Sequence, residues 1–436
     1  MLLIYLSKNS SRCEYVFQYI FTHELAIEYR TTNDRNEFEK YPSEKINYSN
    51  KRMGEALFIK PSTLLFENEI KKQQIPVVEK GSVKVLFPTE EDDLGFDIFS
   101  AVFYMISRYE EYGPFKPDKF GRFNAKESFA FQHDFLEKPV VNIWIEIFKK
   151  ALKNKFEKLE FNVSTFTTIL TYDIDVAYKF QGRSFGRTIG SALKDLSQFH
   201  LQNLKERLQT LLQSKKDPWD IYDHLQEVIS KNKLSSIFFF LLADKSPHDR
   251  NLHHRNTVLK KLINEIETFS DIGIHPSFYT SSFPGKILIE QQRLEKLSGQ
   301  KILKSRQHYL KFKLPDTYNA LLSAGITEDY SMGFPDEAGF RAGTCKPFYF
   351  YDLKNEKATD LKIFPFTFME GTLMKELKPS DALKKILKLL EEVKSVKGTF
   401  IPLWHNHTIS ETEEYAAWKK VHDQMIEKII FTLNEP

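Results

Sequence analysis

Residues 165–175 read Thr-Phe-Thr-Thr-Ile-Leu-Thr-Tyr-Asp-Ile-Asp and set the expected fold of the second half of the chain. Residues 165–172 are rich in β-branched and apolar side chains, which predicts a buried strand. Asp173 and Asp175 follow where that strand should end, and alternate residues of an extended chain point to the same side. Two like charges so close are costly without a cation or a shared proton. The pair predicts a metal or acid–base site at a strand end; the plainer alternative is helix caps or a solvated turn.

Strand and helix patterns alternate after a lysine-rich connector near residue 160. Apolar segments with strand composition lie at 165–172, 236–242, 271–275, 301–305, 346–351, 361–369 and 398–404. Helical patterns separate many of them, and such alternation predicts parallel strands with helical crossovers. About seven strands in about 270 residues favour a distorted seven-stranded (β/α) barrel over an open sheet. We therefore expect an α/β barrel over residues 161–436.

The first half, residues 1–160, has the pattern of a smaller mixed α/β accessory domain. Strand patterns lie at 2–6, 56–59 and 83–87, and helical patterns at 14–21, 97–109 and 140–152. Arg108, Glu110 and Glu111 form a charged helix end, which we expect to be a solvated face or an interdomain contact. Signals for chemistry are weak in this half.

Composition excludes several classes of protein. Among 436 residues, 62 Lys and Arg nearly balance 59 Asp and Glu, so the net charge of +3 does not demand nucleic acid or an anionic membrane. Two cysteines, Cys13 and Cys345, provide neither a disulfide framework nor a cysteine zinc site. The apolar N-terminus is too short for a signal peptide, and no stretch approaches transmembrane length. The default expectation is a cytoplasmic protein.

Five residues suited to chemistry fall at or just after the ends of predicted strands: Asp173, His275, Arg306, Glu370 and His405. The C-terminal ends of barrel strands share one rim, where active sites form. Each residue has a plainer explanation alone, such as a structural histidine, a salt bridge or a helix first turn. Their common position predicts that they converge on one site.

The order of these motifs resembles the polysaccharide deacetylase superfamily, with its NodB homology domain. The matching order is Asp-x-Asp, His, Arg, an acidic segment with Gly-Phe-Arg, and Leu-x-His, over about residues 165–436. The first half resembles the domain that precedes such modules in some bacterial proteins. The resemblance implies a divalent metal, often zinc, and attack of a metal-activated water on the acetamide carbonyl of an N-acetyl sugar.

The resemblance also implies roles for individual residues. Asp173 corresponds to the catalytic base, Arg306 to the arginine that orients it, and His405 to the histidine that protonates the leaving amine. Asp175 is the available metal-binding carboxylate, although the family places it one residue earlier, where Ile174 stands here.

The metal motif departs from the family in its second histidine. His275-Pro-Ser-Phe-Tyr279 has tyrosine where the family has the second ligand of His-x-x-x-His. Catalytic zinc takes three protein ligands and keeps one position open. His308 is the expected third ligand with Asp175 and His275, because it lies two residues past Arg306 on an extended chain. The alternative is a decayed metal site that only binds carbohydrate. His248, His253 and His254, in a loop at the same rim, are weaker candidates.

Substrate-binding roles are predicted for Arg341, Trp404, His407 and Glu370. Arg341 lies in the segment 336–344, which we expect near the catalytic carboxylates. Trp404, like Phe340, has the chemistry to stack on a sugar or equally to join the core. His407 lies two residues past His405 and is expected to replace or orient it.

Residues 181–216 form a basic amphipathic stretch. They fit either peripheral contact with a membrane surface or an ordinary helix packed on the barrel. Three functions remain open: a metal-dependent deacetylase of an N-acetylated glycan, a carbohydrate-binding module without activity, and an amide hydrolase for a small cytosolic molecule. The sequence defines neither the sugar nor the oligomeric state.

Overall fold

The computed structural model describes residues 1–435, except for the side chains of Phe185 and Arg187. The protein is a mixed α/β structure in which parallel sheets predominate. The strands of the first half are β1 Leu2–Leu6, β2 Tyr29–Thr32, β3 Lys45–Tyr48, β4 Leu57–Ile59, β5 Val77–Lys80 and β6 Val83–Leu86. Its helices are α1 Ser11–Phe17, α2 Arg35–Lys40, α3 Ile98–Ile106, α4 Phe129–Gln132 and α5 Val140–Lys155.

The first half contains a parallel sheet of four strands in the order β2-β1-β3-β4. Helix α3 lies between α1 and α5, and it is buried along its whole length. It begins after Asp97, whose carboxylate accepts the N–H of Ser100, as is usual for an N-cap residue. The helix predicted at 14–21 begins earlier, at Ser11, and continues as a π-helix over Gln18–Glu24.

The second half carries the larger sheet. Its strands are β7 Thr167–Thr168, β8 Leu170–Ile174, β9 Ser236–Phe240, β10 Asp271–Ile274, β11 Lys304–Ser305, β12 Glu328–Asp329, β13 Phe348–Asp352, β14 Lys357–Ile363, β15 Phe368–Met369, β16 Thr399–Phe400 and β17 Pro402–His405. Its helices are α6 Phe185–Ser197, α7 Leu201–Leu211, α8 Tyr222–Asn232, α9 Thr257–Ile266, α10 Gly285–Ser298, α11 Asp316–Ser323, α12 Glu370–Glu376, α13 Pro379–Ser395 and α14 Ala416–Leu433.

Nine strands form this sheet in the order β13-β14-β12-β11-β10-β9-β8-β17-β15. All neighbours are parallel except β13 and β14, which form an antiparallel pair. The prediction was wrong in two details: the strand at 346–351 is antiparallel, and the short strand β12 was not foreseen. The parallel strands therefore end along one edge, as the sequence pattern required.

Buried side chains from distant strands, Phe239 of β9, Tyr330 after β12 and Leu403 of β17, pack in one cluster with Phe366. Residues 364–367 link β14 to β15, so the two strands are successive parts of one stretch. In that stretch the N–H of Phe366 donates to the carbonyl oxygen of Met332, and the N–H of Thr367 donates to the carbonyl oxygen of Ile401.

The two halves share one continuous hydrophobic core. The segment 336–344 contacts the first half closely, because the N–H of Phe340 donates to the carbonyl of Leu136. Gly339 has φ +145°, and a Cβ there would lie 2.5 Å from the same carbonyl oxygen. Only glycine fits so close an approach. No helix within residues 1–435 is long and apolar enough to cross a bilayer.

Candidate active site

Three side chains at neighbouring strand ends form a cluster that could hold a metal ion. Asp175 follows β8, His275 follows β10, and His308 lies three residues past β11. Their potential ligand atoms all lie within 4.8 Å of one another. Asp175 Oδ1 is 3.3 Å from His275 Nε2, and Asp175 Oδ2 is 3.5 Å from His308 Nε2. The residues expected as a metal triad are thus neighbours in space.

The far side of each imidazole is fixed by a hydrogen bond. His275 Nδ1 donates to the carbonyl oxygen of Arg306 at 2.6 Å, which leaves Nε2 as the ring nitrogen that faces Asp175. His308 Nδ1 lies 2.8 Å from a carboxylate oxygen of Asp249. Metal-binding histidines commonly have such a second partner, which sets the tautomer and the ring orientation.

The electrostatics of this cluster favour a positive charge between the carboxylates. Burial alone would raise the pKa of the Asp175 carboxyl, but His308 and His275 hold it well below its usual range. Burial lowers the pKa of His308, yet Asp175 and Asp249 together raise it to about 9. Asp175 Oδ1 is buried with no hydrogen-bond partner. Two imidazole nitrogens and one carboxylate, whose Oδ1 has no partner, fit a divalent cation.

Asp173 lies beside the triad with a different partner. Its Oδ1 accepts a hydrogen bond from Arg306 Nη1 at 3.0 Å, and its Oδ2 is 3.7 Å from His275 Nε2. Arg306 is fully buried, donates from Nε to the carbonyl of Tyr330 and stacks over the ring of Phe239 at 4.6 Å. These contacts fix the guanidinium and, through it, the orientation of Asp173.

His405 reaches the same centre from β17, where it is paired in register with Asp173. Its Nδ1 donates to Glu370 Oε1 at 2.7 Å, and its Nε2 is 3.7 Å from Asp175 Oδ2. The same Glu370 oxygen accepts the backbone N–H of His405 and the hydroxyl of Thr408. Burial lowers the pKa of His405, but Glu370 and the aspartates raise it to about 10. His405 is therefore built to carry a proton.

The metal-site residues, Asp173 and His405 face one cavity of about 550 Å³. Its polar lining includes Asp173, Asp175, His275, His308 and His405. Phe120 and Arg122 line it from the first half of the chain, and His248, Arg250, Tyr309 and Lys375 also contribute. An open cavity with convergent polar groups is the usual form of a small-molecule or glycan site.

Two predicted substrate-binding residues lie elsewhere. Trp404 is buried between His422 and Phe368, because side chains of β17 alternate and its neighbour His405 faces the cavity. Arg341 is buried in an ion pair with Glu111 and donates to the carbonyl of Gly333. The expectations that Trp404 stacks on a sugar and that Arg341 approaches the carboxylates are therefore wrong.

The other predicted binding residues act through neighbours or lie outside the cavity lining. Glu370 is fully buried and reaches the cavity only through His405. His407 lies 5.7 Å from His405, centroid to centroid, and contacts Trp219 and Tyr415. Phe340 belongs to the core. Tyr279 does not replace the missing histidine, because His308 stands beside Asp175 instead.

Several residues of the site escaped the sequence analysis. Asp249 lies in the loop after β9, and its carboxylate fixes the ring of His308. In the sequence, its neighbour His248 is a weaker metal-ligand candidate, and nothing marks Asp249. Its carboxylate also accepts the N–H of Phe278. Phe120 and Arg122 belong to the first half of the chain. Arg122 nevertheless donates to the carbonyl oxygen of Tyr309, about 190 positions later in the sequence. The residues around a loop aspartate predict little about its role, and no local sequence pattern predicts a contact between distant segments.

Comparison with known proteins gives one family match and several similar solved structures. Residues 2–157 match a family of unknown function, DUF7033. None of the curated proteins compared matches the chain. Among solved structures, a presumed polysaccharide deacetylase from Mycobacterium smegmatis is 13% identical over 62% of this chain and 86% of its own, with a TM-score of 0.39.

Two further solved structures have similar descriptions. A CE4 family pseudoenzyme from Bacillus anthracis is 10% identical over 61% of this chain and 60% of its own, with a TM-score of 0.32. A polysaccharide deacetylase from Bacillus cereus is 12% identical over 60% of this chain and 88% of its own, with a TM-score of 0.29.

The chain resembles polysaccharide deacetylases. Two of these three structures are described as polysaccharide deacetylases, the family that the motif order resembles. At identities of 13% or less and TM-scores of 0.39 or less, only the geometry of the site bears on activity.

Proposed function

We propose that this protein is a metal-dependent amide hydrolase that removes the acetyl group from an N-acetylated sugar or glycan. The observation that carries the proposal is a shared cavity. In the triad Asp175, His275 and His308, the His275 Nε2 lies 3.7 Å from Asp173 Oδ2 and the Asp175 Oδ2 lies 3.7 Å from His405 Nε2. Three ligands, a base and an acid at one place are what metal-assisted amide hydrolysis requires.

Asp175, His275 and His308 would hold the metal, and zinc suits two imidazoles and one carboxylate. When bound, such an ion lowers the pKa of water and polarises the substrate carbonyl. The missing second histidine of the family motif is then compensated by His308, because its Nε2 already faces Asp175.

The remaining chemistry belongs to the chain's own groups. Asp173 takes the proton of the attacking water, and Arg306 orients that carboxylate through its hydrogen bond. His405 gives a proton to the leaving nitrogen when the C–N bond breaks. Glu370 supports this role because its charge raises the pKa of His405.

The fold supports the proposal at a larger scale. Residues 357–369 pair first with β12 and then with β17, which supports closure of the sheet into a seven-stranded barrel. The family match that ends at residue 157 supports an accessory domain over residues 1–160 and a deacetylase-like barrel over 161–436. In a barrel, strand ends gather the five functional residues on one rim.

The test combines metal content with acetate release. Purified wild-type protein should hold close to one equivalent of a transition metal after loading, measured by elemental analysis. His308→Ala should lose that metal. His253→Ala, at an exposed histidine outside the cavity lining, should keep it. Wild type and the His253 control should release acetate from N-acetylglucosamine oligomers or a related N-acetylated glycan.

One rival function has an observation in its favour. Tyr279 stands where the family has a metal-binding histidine, which favours a domain that binds carbohydrate without turnover. Saccharide binding by metal-free protein, with no metal retained after loading and no acetate released, would establish that rival. Acetate release only from small N-acetyl compounds that are not sugars would point instead to another amide hydrolase.

A further inference from the structure

In the helical hairpin α6–α7, polar side chains lie between the two helices and large apolar side chains face outward. Between the two helices Arg207 Nη2 lies 2.6 Å from Asp195 Oδ2, and Nη1 donates to the Ser191 hydroxyl. The buried positions of α7 are Arg207 and Thr210, neither of them apolar. A hairpin packed on a sheet buries its leucines instead. The expectation of an ordinary helix packed on the barrel is therefore wrong for this segment.

Large apolar side chains cover the outside of the hairpin. Eight of them are 43% to 85% exposed: Ile189, Leu193, Leu196, Phe199, Leu201, Leu208, Leu211 and Leu212. Single exposed leucines are ordinary, but so many in one short segment form a patch of the kind that contacts a partner or a membrane.

The charge of the same segment indicates what covers the patch. Residues 181–216 contain seven Lys and Arg and two Asp and Glu, a net charge of +5 in a chain whose total is +3. Lys194, Lys205 and Lys215 are exposed beside the apolar residues. Apolar side chains flanked by lysines are typical of helices that lie in the interface of an anionic bilayer. A second copy of the chain would bring an equal positive charge against this one.

The hairpin is anchored at the rim of the candidate active site. The hairpin follows β8 in the chain. Asp217, which comes after α7, links the two ends of the hairpin, because its carboxylate accepts the backbone N–H groups of residues 179–181. The tip of the hairpin, residues 199–203, faces Trp219 and Tyr415 across a cavity of about 680 Å³. The ring of Tyr415 is 5.5 Å from His407, the neighbour of His405.

We propose that the α6–α7 hairpin docks this protein on an anionic lipid bilayer, with its outer leucines and Phe199 inserted and its lysines on the headgroups. Docking would bring the rim of the cavity to the membrane surface. If the proposed function holds, its substrate is then an N-acetylated glycan attached to the membrane. Docking itself needs neither metal nor turnover.

Vesicle sedimentation tests the proposal directly. The full chain should sediment with vesicles of equal parts phosphatidylcholine and phosphatidylglycerol, and far less with phosphatidylcholine alone. A triple variant, Leu193→Glu, Phe199→Glu and Leu208→Glu, should bind at least about tenfold more weakly. The double variant Lys194→Glu and Lys205→Glu should also lose binding, and salt should weaken the binding of wild type.

Matched controls separate docking from folding and from catalysis. Phe283→Glu and Phe431→Glu change equally exposed apolar residues outside the hairpin, and both should bind like wild type. Asp175→Asn should also bind like wild type, even if no activity is ever found. Circular dichroism checks that each variant is folded. Absence of wild-type binding to anionic vesicles overturns the proposal, as does a dimer in light scattering that the triple variant dissociates.

Discussion

Asp173 and Asp175 are two residues apart on one strand end, yet they have different partners. Asp173 is bonded to the buried guanidinium of Arg306, whereas Asp175 faces the imidazoles of His275 and His308. One carboxylate is thus held against a fixed cation of the protein, whereas the other faces two imidazoles. In the proposed mechanism, this difference divides the roles of base and metal ligand between them.

Replacing Asp173 with Asn tests that division. The amide cannot accept a proton from water, so kcat for deacetylation should fall by about two to four orders of magnitude. Metal content should stay at the wild-type level, because Asp173 is not one of the three ligands. Asp360→Asn, at an exposed aspartate outside the cavity lining, is the control. Wild-type turnover by Asp173→Asn would rule out its role as base.

Glu290 supports the site from behind, through Ser277 rather than through the cavity. Its carboxylate accepts both the N–H and the hydroxyl of Ser277, two residues past His275. Burial raises the pKa of Glu290 from 4.5 to about 7. The folded protein therefore keeps this proton over a pH range in which the unfolded chain has released it.

This raised pKa predicts a pH-dependent stability. Between about pH 4.5 and about pH 7 the folded state binds more protons at Glu290, so the free energy of unfolding falls as pH rises, by on the order of 3 kcal/mol. Glu290→Gln removes this contribution. Relative to wild type, it should therefore be more stable at about pH 8 than at about pH 5 in urea unfolding. Glu295→Gln, half-buried on the same helix, is the control, and an equal slope in both variants would contradict the prediction.

At the scale of elements, β10 shows how strand packing positions the site. Gly273 lies between β9 and β11, and a Cβ there would meet the Phe239 ring at 2.6 Å and the Lys304 carbonyl oxygen at 2.9 Å. The absence of a side chain lets Phe239 fill the space and support Arg306 by stacking. The strand that precedes His275 therefore needs glycine for close packing.

Gly273→Ala should lower the free energy of unfolding by about 1–3 kcal/mol, because the added methyl overpacks the strand against Phe239. Chemical denaturation measures the loss. Gly285→Ala is the matched control, since a Cβ at the start of α10 meets nothing within 4 Å. If the two variants are equally stable, the packing at β10 is looser than these distances imply.

Sequence patterns predicted long elements well and short ones poorly. The strands β8 and β9 and the helix α13 have strong apolar periodicity, and they appear close to their expected places. β11 and β12 have only two residues each, too few for any period. The error over Trp404 has a simpler cause, because strand alternation forbids both Trp404 and His405 from facing the cavity.

Residues of the candidate site were likewise predictable where a strong sequence pattern positions them, and not elsewhere. Residues at or just after the ends of strong strands, such as Asp173 and His275, could be placed by counting along the chain. His308 depended on the geometry past Arg306, where the chain turns into a short 3-10 helix. Asp249 and Phe120 come from loops, and only tertiary packing brings them to the cavity.

At the scale of the whole molecule, the first half is joined to the second by a buried ionic network. Arg108 pairs with Glu110 and Glu111, and Glu111 also pairs with Arg341 of the segment 336–344. The two arginines and the two glutamates neutralise one another's charge, because a buried charge without a partner would be costly. The charged helix end of the first half is thus an internal contact, and Arg341 serves assembly of the two halves.

The first half also contributes to the cavity, and this gives a prediction about substrate binding. Phe120 lies 5.2 Å from Tyr309, ring centroid to centroid, and the two rings line the cavity together. Phe120→Ala should raise KM for a glycan substrate by about three- to tenfold, the loss expected for one aromatic contact. It should leave kcat and metal content nearly unchanged, since Phe120 bonds none of the catalytic groups.

Phe115→Ala provides the control for this prediction. Phe115 belongs to the same segment and packs on Phe123 at 4.9 Å, but it does not line the cavity. Its loss should lower stability without changing KM. An equal rise of KM in both variants would mean that the segment matters only for packing. A rise in the Phe120 variant alone would make residues 1–160 part of the substrate-binding surface.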